Sequence, residues 1–336
     1  MSLTLILAVT TGGIVLGRLA AGWAVRVLCD LPSTDLARCA RCETECSWWQ
    51  RWCGLGIIRC RQCGNRWTAW WPLATSLVLT IVFAGYAWLL TVKNCQNVAE
   101  VQPATPMHLL RLPYHLAFLL LLTVATLTDL LDYVIPDEVV ITGILIAIVG
   151  AVVSGDLQLI HIWVNWDAQV PGFYGPYLPD WMKHHQHLHG LAWSVAGMAS
   201  GASLVWLIRK ISSWMLREPA MGLGDVTLMA MIGAFIGWQP ALCAITIAPL
   251  TAIVVGLAVH SVTGRTFVAF GPYLAISTII VLGTWRWIWA EPLLMRDVFS
   301  HWPSILGLVS GALAALVVLL GGLRMFLTLP ADTLRR

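Results

Sequence analysis

Nine stretches of the chain are apolar and long enough, or nearly so, to cross a hydrocarbon layer of about 30 Å, which takes roughly 20 residues of α-helix. They run over 3–28, 72–92, 110–131, 138–154, 190–208, 225–238, 240–260, 267–289 and 303–325. Backbone polar groups in lipid must be satisfied within the segment, so runs of this kind are expected as helices. The composition agrees, with 58% hydrophobic and only 11% charged residues among 336. A soluble globule of this size could not hide so much apolar surface, and the low charge excludes a disordered or nucleic-acid-coating chain. The expected fold class is an all-α polytopic membrane protein in a lipid bilayer, a bundle of about eight or nine transmembrane helices.

The cationic residues sort by side. With the N-terminus external and sides alternating, one set of hydrophilic segments holds fourteen of the 20 Lys and Arg residues, the opposite set holds five, and Arg18 falls inside the first run. The richer side is expected to be cytoplasmic, which puts the N-terminus outside and the C-terminus inside. The first run lacks a basic leading segment and reads as a retained span. Two loops stand out, a Cys- and Arg-rich cytoplasmic one over 29–71 and an external one over 155–189 rich in Trp, Asp, Pro and His. The chain divides into a first helix (1–28), the Cys-rich loop (29–71) and a bundle (72–336).

Within the first loop, Cys39-x-x-Cys42 and Cys60-x-x-Cys63 lie 17 residues apart, the spacing of a two-knuckle zinc site. Four thiolates so placed can close a tetrahedron around a structural Zn²⁺ and staple a loop too small for its own core. A reducing cytoplasm favours metal over disulfides. Cys29, Cys46 and Cys53 are alternative ligands, whereas Cys95 and Cys243 read as small apolar residues.

Carboxylates at the ends of apolar spans are costly and point to function. Asp129 ends the third run, in Thr128-Asp129-Leu130-Leu131-Asp132-Tyr133-Val134-Ile135-Pro136-Asp137, and Asp225 opens the sixth, in Met221-Gly222-Leu223-Gly224-Asp225-Val226. The charge sorting puts both at one membrane face. Two carboxylates brought together in a poorly solvated site cannot both ionise readily and share a proton. One can then act as a base on water while its protonated partner hydrogen-bonds a scissile carbonyl. Helix capping is the competing reading for Asp132, Asp137 and Asp225. Gly222 and Gly224 permit a tight backbone where a peptide could approach.

These motifs resemble the prepilin peptidases, the type IV leader peptidase family of membrane aspartic peptidases with a Gly-x-Gly-Asp motif. Asp129, eight residues before Asp137 of Ile135-Pro136-Asp137, matches the first catalytic aspartate, and Asp225 matches the second. Gly233-Ala234-Phe235-Ile236-Gly237-Trp238 and Phe270-Gly271-Pro272-Tyr273-Leu274-Ala275 look like further family signatures. Gly222, Gly224, Pro136 and Asp137 are the supporting positions. The resemblance implies an aspartic endopeptidase of the bacterial inner membrane that removes the basic leader of prepilins or pseudopilins at the cytoplasmic boundary, in pilus assembly or type II secretion.

Bifunctional members also methylate the new N-terminus with S-adenosylmethionine and carry paired Cys-x-x-Cys motifs in the first loop. The pairs are present here, but the Asn expected near Gly17-Arg18-Leu19-Ala20 is absent, and Trp71-Pro72-Leu73-Ala74-Thr75 lacks the acid that ends the family's loop. These departures set methylation apart from the peptidase expectation. A proton- or cation-coupled transporter using the same carboxylates, or a non-catalytic scaffold of a secretion machine, stays open on the residues alone. His184, His185, His187 and His189 could hold a transition metal, against the plainer reading of a solvated segment before a span.

Overall fold

The computed structural model describes residues 3–29, 57–59, 62–63, 66–68, 71–164, 178–218, 220–263 and 269–328. The described helices are α1 (Leu3–Cys29), α2 (Trp71–Thr91), α3 (Met107–Asp132), α4 (Asp137–Ser154), α5 (Asp180–His184), α6 (Gln186–Leu216), α7 (Leu223–Ile236), α8 (Trp238–Thr263), α9 (Gly271–Trp289), α10 (Met295–Ser300) and α11 (Trp302–Thr328). Each of the nine expected apolar runs forms one of them. Seven, α1 to α4, α6, α8 and α11, are long and apolar enough on their own to cross a membrane. The sixth run departs from expectation. It forms α7, whose 14 residues reach only about 21 Å. A short antiparallel pair, β1 (Ile57–Arg59) and β2 (Arg66–Thr68), lies within the Cys-rich loop.

The short α7 is the centre of the bundle. Leu228, Met229, Met231, Ile232, Ala234, Phe235 and Ile236 are all buried, so the helix is apolar on every side because every side meets protein. It packs against α3, α4, α6, α8 and α9. The approach to α6 is closest where Gly197 and Gly233 face one another. A Cβ on either glycine would collide with the other's carbonyl oxygen, and one on Gly201 would come within 2.6 Å of the Met229 carbonyl. Small residues let two helices meet backbone to backbone in lipid, where no solvent-driven force presses them together. Ser194 adds a bond across the same seam, donating to the Ala234 carbonyl at 2.9 Å.

Because α7 is too short to span, one end of the bundle must be filled by other chain. Gly237 turns the path from α7 into α8 with a φ of +82°, a conformation open to glycine. A side chain there would also strike the Trp193 indole. Beside this turn the 155–164 segment dips into the bundle, burying Leu157, Leu159, Ile160 and Val164. Irregular backbone at such depth is tolerated only where protein satisfies its polar groups. The spans supply those partners. Arg111 donates to the Gln158 carbonyl at 2.6 Å, Trp285 to Leu159 at 3.2 Å, Gln239 to His161 at 2.9 Å and Trp238 to Ile162 at 2.7 Å.

His189, expected with the histidine run, turns inward and accepts the Ile162 N–H at 3.3 Å. His161 donates through Nε2 to the Glu100 carbonyl at 3.0 Å, and burial pushes its pKa below the ordinary imidazole value despite that bond. His184 and His187 bond to backbone carbonyls of Asp180 and Val152. Among the described residues no group of three His, Cys, Asp or Glu side chains could hold a metal ion.

Candidate active site

Three helix ends converge at the opposite end of the bundle from the 155–164 segment. Asp129 lies in the last turn of α3, 18 residues or about 27 Å along the helix from Arg111. The helix stops at Tyr133, which takes a left-handed conformation with φ 55° and donates its N–H to the Asp129 carbonyl at 3.0 Å. The chain then runs through buried Ile135 and Pro136 into α4. Proline fixes φ near −65°, suited to the residue just before a helix, and Pro136 sits at φ −72° as the N-cap of α4.

Asp225 is the third residue of α7, and its Oδ2 lies beside Gly222, the residue that caps this helix. An acid in the first turn of a helix complements the helix dipole, so local structure alone gives Asp225 a place here. Asp129 is held at longer range, accepting through Oδ2 the N–H of Gly271 at 2.9 Å. Gly271 opens α9, where the first N–H groups lack partners inside the helix and the helix dipole favours an anion. Both residues are buried, at 6% and 8% exposure.

The two acids are brought together. Ile135 joins their surroundings, packing against Gly224 beside Asp225 and against Gly271, the partner of Asp129. A Cβ on Gly224 would sit 3.0 Å from Ile135 Cβ, and one on Gly271 would meet Asp129 Oδ2 while lying 3.3 Å from Ile135 Cδ1. Neither glycine can carry a side chain without moving Ile135 or the Asp129 carboxylate. Gly222 is more open, its added Cβ 3.7 Å from Asp225 Oδ2. Asp137 is exposed in the first turn of α4, and Asp132 is only partly buried. Capping accounts for Asp137, since an acid there complements the helix N-terminus.

Sequence reasoning missed four participants. Gly271 belongs to the quoted Phe270-Gly271-Pro272-Tyr273 segment, but its N–H as a carboxylate donor was not legible; glycine followed by proline at a helix start was the available signal. Ile135 was visible only as part of a motif. Arg209, from the last third of α6, donates through Nε to the Met221 carbonyl at 2.9 Å and so holds the turn just ahead of Gly222. Ser213 accepts the Ala220 N–H at 3.3 Å in the same turn.

The first helix reaches this end too. Trp23 donates to Glu138 at 3.2 Å, and Arg26 approaches the same carboxylate at 3.8 Å. Both groups of the ion pair are nearly half exposed, so the contact orients more than it stabilises. Cys29 and Trp71, which flank the Cys-rich segment, therefore lie at the aspartate end. Of the expected metal ligands, Cys63 is partly buried in the turn between β1 and β2, while Cys39, Cys42 and Cys60 lie outside the described residues.

Comparison with known proteins points the same way. The profile of the type IV leader peptidase family matches residues 116–257. The chain is 34% identical over 100 residues to a prepilin leader peptidase/N-methyltransferase of Dickeya chrysanthemi, covering 27% of this chain and 35% of that relative. The relative of the same name from Escherichia coli K12 is 32% identical over 97 residues, 28% of this chain and 43% of its own length. A longer match, 26% over 243 residues, joins 66% of this chain to 70% of the protein of that name from Pseudomonas putida. These matches thus span about 35% and 43% of the length of the first two relatives. No solved structure matches. Asp129 and Asp225 both lie inside the stretch, residues 116–257, over which the chain resembles the type IV leader peptidase family.

Proposed function

We propose that this chain is an aspartic endopeptidase that removes the basic leader from prepilins or pseudopilins at the cytoplasmic face of a bacterial inner membrane. The supporting observation is the convergence of Asp129, oriented by the Gly271 N–H, and Asp225 around Ile135 at the mouth of a bundle of apolar helices. Two like charges in a poorly solvated site hold one proton between them. The ionised carboxylate takes a proton from a water molecule, whose oxygen attacks the scissile carbonyl. The protonated partner hydrogen-bonds that carbonyl oxygen and passes its proton to the leaving amine, and the C–N bond breaks. Such a pair titrates as a unit, so neither residue is assigned the proton.

The charge asymmetry of the loops supports a cytoplasmic position for this end of the bundle, where a basic leader would remain while its hydrophobic helix enters the bilayer. A precursor carrying such a leader and helix, incubated with membranes holding this chain, is expected to lose the leader at the boundary, as read by mass spectrometry of the mature N-terminus. An intact precursor contradicts the proposal, and a cut inside the span points to another class of intramembrane protease. The same spectrum reports any added methyl group, the second activity in the relatives' names.

We infer further that the loop over 29–71 is a distinct module between the first helix and the 72–336 bundle, stapled by Zn²⁺ on Cys39, Cys42, Cys60 and Cys63. The β1–β2 hairpin supports this, because its turn holds Cys63 and the strand before it ends next to Cys60. Four thiolates suit zinc and leave no open coordination position, so the metal's part is structural. Elemental analysis of the purified chain is expected to give one zinc per molecule, lost in C60S/C63S. Stoichiometric zinc in that double variant would refute the ligand assignment.

A further inference from the structure

The end of α6 runs past the lipid interior and builds a site of its own. At 31 residues the helix is about 46 Å long, well beyond a hydrocarbon layer of about 30 Å, and its apolar run stops at residue 208. Beyond that residue the helix borders a cavity of about 480 Å³ lined by Arg209, Lys210, Ser213, Trp214, Arg217 and Glu218. Three cations face one carboxylate, a surplus of two positive charges. Trp214 is 74% exposed and Trp206 47%, and the Lys210 ammonium lies 5.5 Å over the Trp206 ring. Exposed indoles flanking cations are the composition of a headgroup layer. Arg324 near the end of α11 donates to the Met215 carbonyl at 3.2 Å, bringing a second span to this site.

A basic leader peptide would be repelled here, so the cavity is not part of the leader's path. Its charge calls for an anion with several acceptor oxygens, and its depth at the ends of two spans makes the lipid phosphate the abundant source. We propose that this cavity binds the headgroup phosphate of an anionic phospholipid, and that occupancy steadies the turn before Asp225. The connection is Arg209, which both lines the cavity and holds the Met221 carbonyl one residue before Gly222. Basic pockets at the cytoplasmic ends of spans are suited to such headgroups, each cation near the surface adding to the attraction.

The full chain placed in nanodiscs of phosphatidylcholine alone, of phosphatidylcholine with phosphatidylglycerol, or of phosphatidylcholine with added inorganic phosphate provides the test. Lipid retained through native mass spectrometry and hydrogen exchange of residues 217–226 are the readouts. Phosphatidylglycerol is expected to be retained in preference to phosphatidylcholine and to slow exchange across the turn. K210Q/R217Q should reduce that preference about 25-fold, the effect of removing two surface cations. Equal retention of the two lipids by the unaltered chain, or an unchanged preference in a folded double variant, would overturn the proposal. Protection by inorganic phosphate in phosphatidylcholine discs would assign the site to a free anion and equally overturn the lipid source. None of these readouts involves peptide cleavage, so they stand or fall apart from the peptidase reading.

Discussion

Asp129→Asn and Asp225→Asn are each expected to lower precursor processing by at least about 10³-fold, corresponding to about 4 kcal/mol of transition-state stabilisation. Asparagine keeps the shape and can still accept a backbone N–H through its amide oxygen, so the bond from Gly271 to position 129 can persist. What is lost is the base, or the proton that its partner must donate. The variants should insert in membranes and unfold at nearly the same temperature as the unaltered chain. Cleavage within about tenfold of that chain by either variant would remove the aspartic mechanism while leaving the fold intact.

The largest effect on stability is expected at the crossing of α6 and α7. Gly233→Ala puts a methyl against the Gly197 carbonyl, and Gly197→Ala does the reverse. Neither backbone can yield, because α7 is enclosed on every side. Overpacking of a tight interior costs about 1–3 kcal/mol, and contact between two main chains belongs at the upper end or beyond. Gly311→Ala on α11 is the matched control, with nothing within 4 Å of an added Cβ. That change should be neutral or stabilise slightly, since alanine is the better helix former by about 1 kcal/mol. Thermal unfolding in detergent checks the contrast. Equal midpoints for Gly233→Ala and Gly311→Ala would mean that the close crossing is not what holds the two helices together.

The contrast between these glycines marks what could be read from the residues alone. Hydropathy located every span, because the cost of exposing backbone in lipid leaves long apolar runs no alternative to helix. It could not show that α7 is central and short. A helix buried in protein and one facing lipid have the same composition, and only packing separates Leu228–Ile236 from the outward-facing Val318 and Leu319. The two aspartates were legible because a carboxylate at the end of an apolar run is expensive. Their partners were not. Gly271 contributes a main-chain N–H, which carries no side-chain signature, from 142 positions away.

The tryptophans illustrate the same limit. Trp214, exposed near the end of α6, suits an indole at headgroup depth. Trp238 and Trp285, of the same composition, instead satisfy carbonyls of the buried 155–164 segment with their N–H groups. The segment breaks the hydropathy pattern, which marks it as a loop but carries no sign of its burial. Its burial follows from the shortness of α7, a property of the assembled bundle.

Whether Asp129 and Asp225 act as one unit is most directly measured by comparing kcat/KM for the two single Asn variants with that of D129N/D225N. If the carboxylates share one proton and one step, removing the second after the first costs little, and the double variant should fall within about threefold of the poorer single variant. If instead the two losses multiply, the acids act separately, and the joint hydrolysis proposed for this end of the bundle is wrong.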